Sequence, residues 1–165
     1  MDLIVSADGW ASWNGKRYRC AVGPAGVRRD KREGDGATPA GRFPFRRLYF
    51  RADRLPQPST GLPVQPIDHA DGWCDDPAST SYNRAVRLPF DAGHERLWRD
   101  DSVYDLILVI GHNDDPVRPG LGSAVFVHVA HEDYRPTAGC VAFARDDLME
   151  ILAQAKAGDC VAIEV

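Results

Sequence analysis

Two apolar runs, Val103-Tyr-Asp-Leu-Ile-Leu-Val-Ile110 and Ser123-Ala-Val-Phe-Val-His-Val-Ala130, decide how this chain folds. The first is almost wholly apolar over eight residues, the length and content of a central strand buried on both faces. The second reads as another such strand, and alternation along it places Ala124, Phe126 and His128 on one face. Twelve residues beyond His128, the stretch Pro136-Thr-Ala-Gly-Cys-Val-Ala-Phe143 passes from loop into ordered structure at Cys140.

Working outward, Leu3 to Ser6 and Lys16 to Val22 are predicted strands, with Asn14-Gly15 as a hairpin turn between them. Gly23 to Gly41 is a glycine-rich, charged loop that leads into Phe43-Pro-Phe and the apolar and aromatic run Arg47 to Arg51. Arg54 to Ala70 holds four prolines and is expected to be irregular or an edge segment. Trp73 to Asn83 is a polar loop ordered by asparagine and aspartate side chains, and Glu95-Arg-Leu-Trp98 is expected to form a short helix. Asp146 and Asp147 suit the positive start of a helix. Leu148, Ile151, Leu152 and Ala155 then repeat at three and four residues, Gly158 ends the helix, and Cys160 to Val165 closes the chain as a strand. Strands outnumber helices and no strand–helix–strand alternation appears. The predicted fold is therefore mostly β with a few short helices, and residues 1–165 are read as a single domain.

Composition agrees with a globular chain that has a real core: 165 residues, 44% apolar, 27% charged, with 15 glycines and 12 prolines favouring turns around short strands. The net charge of −4 argues against nucleic acid as a partner, because a phosphate backbone calls for a basic face. The strongest basic run, Arg28 to Arg32, is broken by Asp30 and answered by Glu33 and Asp35, and is read first as a solvated loop and second as a substrate contact. Met1-Asp-Leu-Ile-Val begins as a strand without the positive start and long apolar segment of a secretory signal, and no run approaches a membrane span. The chain reads as soluble and monomeric. Its expected place is the cytoplasm or, for a mature form separated from its export signal, the periplasm or cell envelope.

The four cysteines, at 20, 74, 140 and 160, form no CxxC pattern. Cys20 and Cys160 lie in strand-like runs and are expected as buried thiols, while Cys74 sits in a polar loop. Cys140 is the candidate nucleophile. A thiol attacks as thiolate and needs a neighbouring base near neutral pH, for which His128 is the natural partner. Gly139 permits a strained turn and close approach of substrate, so that the amides of Gly139 and Cys140 face the oxygen of a tetrahedral intermediate. The group that orients the imidazole is open: a main-chain carbonyl near Gly120 or Gly122, or the acids Asp114 and Asp115. A zinc site using His128, His131, Cys140, His112 or Asp114 competes, although residues three apart on a strand point to opposite faces. His112 follows the first apolar run, where strand ends often face a cleft.

With these residues in view, the chain resembles the L,D-transpeptidase catalytic domain, the YkuD-like family, in a compact branch. The family pattern runs from a histidine at a strand end to Ser or Thr, His, Gly, Cys, an apolar residue and Arg. The matching positions are His128, Thr137, Ala138, Gly139, Cys140, Val141 and Ala142. Further likeness lies in Gly34-Asp-Gly-Ala-Thr-Pro-Ala-Gly-Arg-Phe43, Trp73-Cys-Asp-Asp-Pro77, Tyr82-Asn-Arg84 and Glu95. The resemblance implies a mixed, β-sandwich-like catalytic domain without metal or cofactor, and cysteine acyl transfer between peptidoglycan stem peptides. Cys140 would be the nucleophile and His128 the base, with Thr137, Ala138, His112, Asn113 and Arg42 in the substrate site. Ala138 and Ala142 depart from the pattern by lacking the histidine and the arginine, so Arg42, Arg84 or Arg135 would have to grip a substrate carboxylate. The alternatives are an L,D-carboxypeptidase or related peptidoglycan hydrolase, and a non-catalytic wall-binding module.

Overall fold

The computed structural model describes residues 1–165. In chain order the elements are β1 (Asp2–Ser6), β2 (Trp10–Trp13), β3 (Lys16–Ala21), β4 (Val27–Arg28), β5 (Thr38–Pro39), β6 (Gly41–Phe50) and β7 (Val64–Pro66). These are followed by β8 (Asp71–Cys74), β9 (Ala85–Arg87), β10 (His94–Arg96), β11 (Leu106–Ile110), β12 (Phe126–Val129), β13 (Val141–Phe143), helix α1 (Arg145–Gln154) and β14 (Cys160–Glu164). The structure is mostly β, as expected, but it holds one helix rather than several. The segment around Glu95, expected to be helical, is strand β10, because His94 to Arg96 pair with Gly72 to Cys74 of β8. Here tertiary pairing overrides a short stretch with weak local preference.

Strand pairing runs β11-β12-β13-β3-β2-β1-β14-β6, and the long strand β6 also pairs with β11. β6 meets β14 through residues 41–44 and β11 through residues 45–50, so the sheet turns back on itself and encloses its own core. The hairpin turn at Asn14-Gly15 forms as expected, but it joins β3 to β2, a strand not read from sequence, rather than to β1. Both residues have positive φ, 48° and 79°, and Trp13 pairs with Lys16 across the two-residue turn.

β11 and β12 separate two apolar clusters. Leu106, Leu108, Ile110, Val125, Val127 and Val129 face the larger one, with Leu3, Trp13, Leu148, Ile151, Leu152 and Val161. Ile107, Val109, Ala124 and Phe126 face the smaller one, with Trp73, Tyr104, Leu97 and Cys140, beneath the small sheet β10-β8-β9. The first apolar run is thus buried on both faces, as read from its composition.

α1 presents Leu148, Ile151 and Leu152 to the larger core, as its spacing predicted. It starts after Ala144 with no side-chain cap, so Asp146 and Asp147 act in the first turn through charge alone. It ends at Gln154, before Gly158, which instead takes φ 94° in the turn into β14. No helix is long and apolar enough to cross a membrane.

Candidate active site

Parallel pairing of β12 with β13 sets His128 opposite Ala142 and Val127 opposite Val141. Cys140, one residue before β13, therefore falls beside Phe126, whose amide donates to Sγ at 3.3 Å. Two residues along each strand return a side chain to the same face. His128 and Cys140 consequently line one cavity of about 390 Å³.

Each group is buried, Cys140 7% and His128 7% exposed. The thiol donates to the carbonyl of Ala124 at 3.2 Å, and no hydrogen bond joins it to the imidazole. Burial pushes the thiol up to about 12; the nearby Glu95 carboxylate acts in the same direction, while the Phe126 amide and the Lys31 ammonium oppose it. The resting Cys140 is a neutral thiol.

His128 Nδ1 lies 2.9 Å from the carbonyl of Val129. A carbonyl only accepts, so Nδ1 carries the proton and Nε2 is left with a free lone pair. The orienting group is this neighbouring carbonyl. It is neither the carbonyl of Gly120 or Gly122 nor Asp114 or Asp115, which strand geometry leaves elsewhere. Burial lowers the imidazole to about 4, against the pull of the Val129 carbonyl, so His128 is neutral at pH 7 and its Nε2 is unprotonated. Tyr104 meets its ring edge-on at 5.4 Å.

The loop before Cys140 is closed by Thr137. Its hydroxyl donates to the Cys140 carbonyl at 2.6 Å and accepts from the Gly139 amide at 3.0 Å. The Gly139 N–H is thereby occupied, and of the two amides expected to face an oxyanion only that of Cys140 has no acceptor within the chain. Gly139 holds φ 135°, and a β-carbon there would come within 2.7 Å of the Ala37 carbonyl, so glycine is required by both conformation and space. Ala37 and Thr38 belong to the Gly34–Gly41 loop, and the buried Thr38 hydroxyl also reaches the Cys140 carbonyl, at 3.5 Å. Ala138 lines the cavity without offering a polar group.

Three residues expected at the substrate site lie outside this cavity. Arg42 is exposed and forms a paired hydrogen bond with Asp2, at 2.8 and 2.9 Å, because β6 presents it beside β1. Asn113 ties its own loop, donating to the carbonyls of Arg118 and Gly122 and accepting from the Arg118 amide. His112 lines an adjacent cavity of about 200 Å³ with Arg46, Arg47 and Arg84. Its ring packs edge-on against Phe43 at 5.2 Å, and burial lowers it to about 4. Of the arginines weighed as replacements for the missing one, only Arg135 lines the Cys140 cavity. The zinc arrangement does not form, since His112 is separated from Cys140 and no three metal-binding side chains converge. All four cysteines are free and buried, Cys74 included.

The cavity also holds Glu95 and Asp75, which lie in segments of the family likeness, Lys31 from the basic run whose second reading was a substrate contact, and Arg99, which sequence did not single out. Lys31 and Arg99 join Arg135 as cations, and Glu33, Asp75 and Glu95 supply carboxylates. Tyr104 donates to Glu95 at 2.7 Å. Tyr82, at 2.7 Å, and Ser123 both donate to Glu33. Burial raises Glu95 and Asp75 above the ordinary carboxylate range. Asn83 acts one step back. Its Oδ1 accepts from Trp73 Nε1 at 3.0 Å and the Ala124 amide at 3.1 Å, and its Nδ2 donates to the carbonyls of His112 and Asn113. Ala124 is held at φ 51°, a left-handed conformation that alanine rarely adopts, and it is this residue's carbonyl that receives the Cys140 thiol. The sign of this role was the expectation that polar side chains order the loop ending at Asn83.

Asn83→Ala is expected to leave four partners unpaired, three of them in buried hydrogen bonds, and to cost about 2–4 kcal/mol in urea denaturation. Asn83→Asp, which keeps the acceptor and loses the donors, should recover only part.

The buried histidines also predict an acid limb of stability. Both are lowered to about 4 when folded, against an ordinary 6.5, so the unfolded chain binds more protons between those values. Their contribution is complete above pH 6.5 and is lost as pH falls towards 4, at most about 3 kcal/mol for each histidine. Denaturation midpoints from pH 7.5 to 4 should fall through this window, and His112→Gln should flatten the slope.

The family model for the L,D-transpeptidase catalytic domain (YkuD) matches residues 7–163. No curated protein and no solved structure matches the chain.

Proposed function

The chain belongs to the YkuD family of L,D-transpeptidase catalytic domains, and on that premise we propose that it transfers acyl groups between peptidoglycan stem peptides through a thioester on Cys140, with His128 as general base. The observation that carries this reading is the shared cavity: one thiol and one neutral imidazole on the same face of paired strands, with Nε2 free. The thiol leaves the Ala124 carbonyl, gives its proton to His128 Nε2, and Sγ attacks the donor amide carbonyl. As the tetrahedral intermediate collapses, the C–N bond breaks and the imidazolium returns the proton to the leaving amine. An acceptor amine then attacks the thioester, losing its proton to His128, and the thiol is restored.

The elevated thiol makes a base essential at this site. A thiol held near 12 has almost no thiolate at pH 7, so proton removal must accompany attack. The cavity wall suits a substrate bearing both charges, since Arg99 and Arg135 can meet carboxylates and Glu33, Asp75 and Glu95 can meet an ammonium group. The test is incubation of the purified chain with a tetrapeptide stem donor and an amine-bearing acceptor stem. Intact mass should show a covalent adduct mapped to Cys140, and product analysis should show a cross-linked dimer. Release of a tripeptide alone would assign hydrolysis, and no adduct at Cys140 would overturn the reading.

A further inference from the structure

With the Gly139 amide turned to Thr137, one main-chain donor, the Cys140 amide, is left free where two were expected. A tetrahedral oxyanion in a buried site gains most from donors already in place, and a single amide leaves much of its charge unmet. Lys31 lies at the position that could complete the set. It lines the cavity with Cys140 and is only 8% exposed, which is unusual for lysine. A β-carbon on Gly139 would sit 3.4 Å from its Nζ.

The ammonium is held from one side. Nζ donates to Asp35 Oδ1 at 2.6 Å and to no other acceptor, although an ammonium has three N–H bonds to give. Asp35 is itself fixed, accepting from the Ala37 amide at 2.9 Å and the Arg32 amide at 2.8 Å. The Lys31 stem rests where a β-carbon on Gly122 would come within 3.2 Å of its Cε. Asp35 therefore holds a buried cation between Gly122 and Gly139 with donors to spare. Ala142 means that no arginine follows the cysteine to supply positive charge from β13.

We propose that Lys31 is a catalytic residue, its ammonium donating with the Cys140 amide to the oxyanion that forms when Sγ attacks the donor carbonyl. This inference rests on the acyl-transfer reading above. As the S–C bond forms, the carbonyl π pair moves onto oxygen, and Lys31 Nζ–H and Cys140 N–H receive it. As the C–N bond breaks the pair returns, and Lys31 neither gains nor loses a proton.

Two reagents separate this role from a structural one in the full chain. A carbapenem acylates Cys140 through a tetrahedral oxyanion, whereas iodoacetamide alkylates it by direct displacement without one. In Lys31→Met the acylation rate is expected to fall about 100-fold, and alkylation should change less than about 3-fold, the difference being the part of the effect that needs an oxyanion. Lys31→Arg, which keeps the charge and the pairing with Asp35, should recover at least about a tenth of the wild-type acylation rate. Lys31→Gln gives the same comparison if the methionine variant does not fold. Equal loss with both reagents, or no loss with either, overturns the assignment of Lys31 while leaving Cys140 as nucleophile. A wild-type chain that takes iodoacetamide at Cys140 but no carbapenem overturns both readings.

Discussion

Cys140→Ser is expected to abolish covalent adduct formation, with the acylation rate falling by at least about 1,000-fold while the fold is retained. The substitution exchanges a sulfur for a smaller oxygen that can make the same two contacts, donating to the Ala124 carbonyl and accepting from the Phe126 amide. Stability should therefore change little, and loss of labelling would report chemistry alone. The hydroxyl fails because burial works harder against an alkoxide than against a thiolate, and the thiolate is already disfavoured here. His128→Ala should fall less steeply, since rising pH can still ionise part of the thiol. Its alkylation rate should climb with pH across the alkaline range, whereas under the proposed mechanism the wild-type chain draws on His128 as base. An adduct of undiminished yield in Cys140→Ser, mapped to another side chain, would remove the nucleophile from the proposal.

Deletion of residues 146–165 is expected to leave a chain with no cooperative unfolding transition. The lost segment carries Leu148, Ile151, Leu152, Val161 and Ile163, all buried in the larger core. At about 1.5–3 kcal/mol for each fully buried side chain, these five amount to about 7–15 kcal/mol, which is as large as the whole net stability of a typical domain. The damage extends beyond burial. β14 lies between β1, with which it pairs in parallel from Asp2 to Ser6, and β6, with which it pairs antiparallel through Cys160 to Ile163. Its removal exposes two unpaired strand edges and opens the closed circuit of the sheet. Circular dichroism during a urea titration is the measurement, and a truncated chain that melts cooperatively and still alkylates at Cys140 would contradict this placement of the C-terminal segment.

The features legible in advance are those whose signal is local. Alternation along Ser123 to Ala130 placed Phe126 and His128 on one face, and the same alternation, read with Gly139-Cys140, anticipated a thiol and an imidazole in one cavity. The Asn14-Gly15 turn and the α1 face of Leu148, Ile151 and Leu152 follow from backbone preference and helical period. Where the local signal was weak the reading failed. Glu95 looked helical because three residues of ordinary propensity say little, and its strand exists only through pairing with β8. Arg42 was expected near substrate as a replacement for the arginine that the family pattern places at Ala142, but the strand alternation of β6 turned it to Asp2 on the exposed side.

The residues themselves determined the chemistry that is available: a cysteine after a glycine, a histidine in an apolar strand, and enough alternating apolar runs to force a β scaffold around them. Which groups meet was decided only by the folded chain. Val129 orients His128, Ala124 receives the thiol, Asn83 holds Ala124, and Lys31 is drawn from a charged loop to the side of Gly139. Periodicity reports the face on which a side chain lies, because that depends on the nearest few bonds. Hydrogen-bond partners separated by tens of residues depend on how strands are registered and where loops close, and those distances are set by the packing of the whole core.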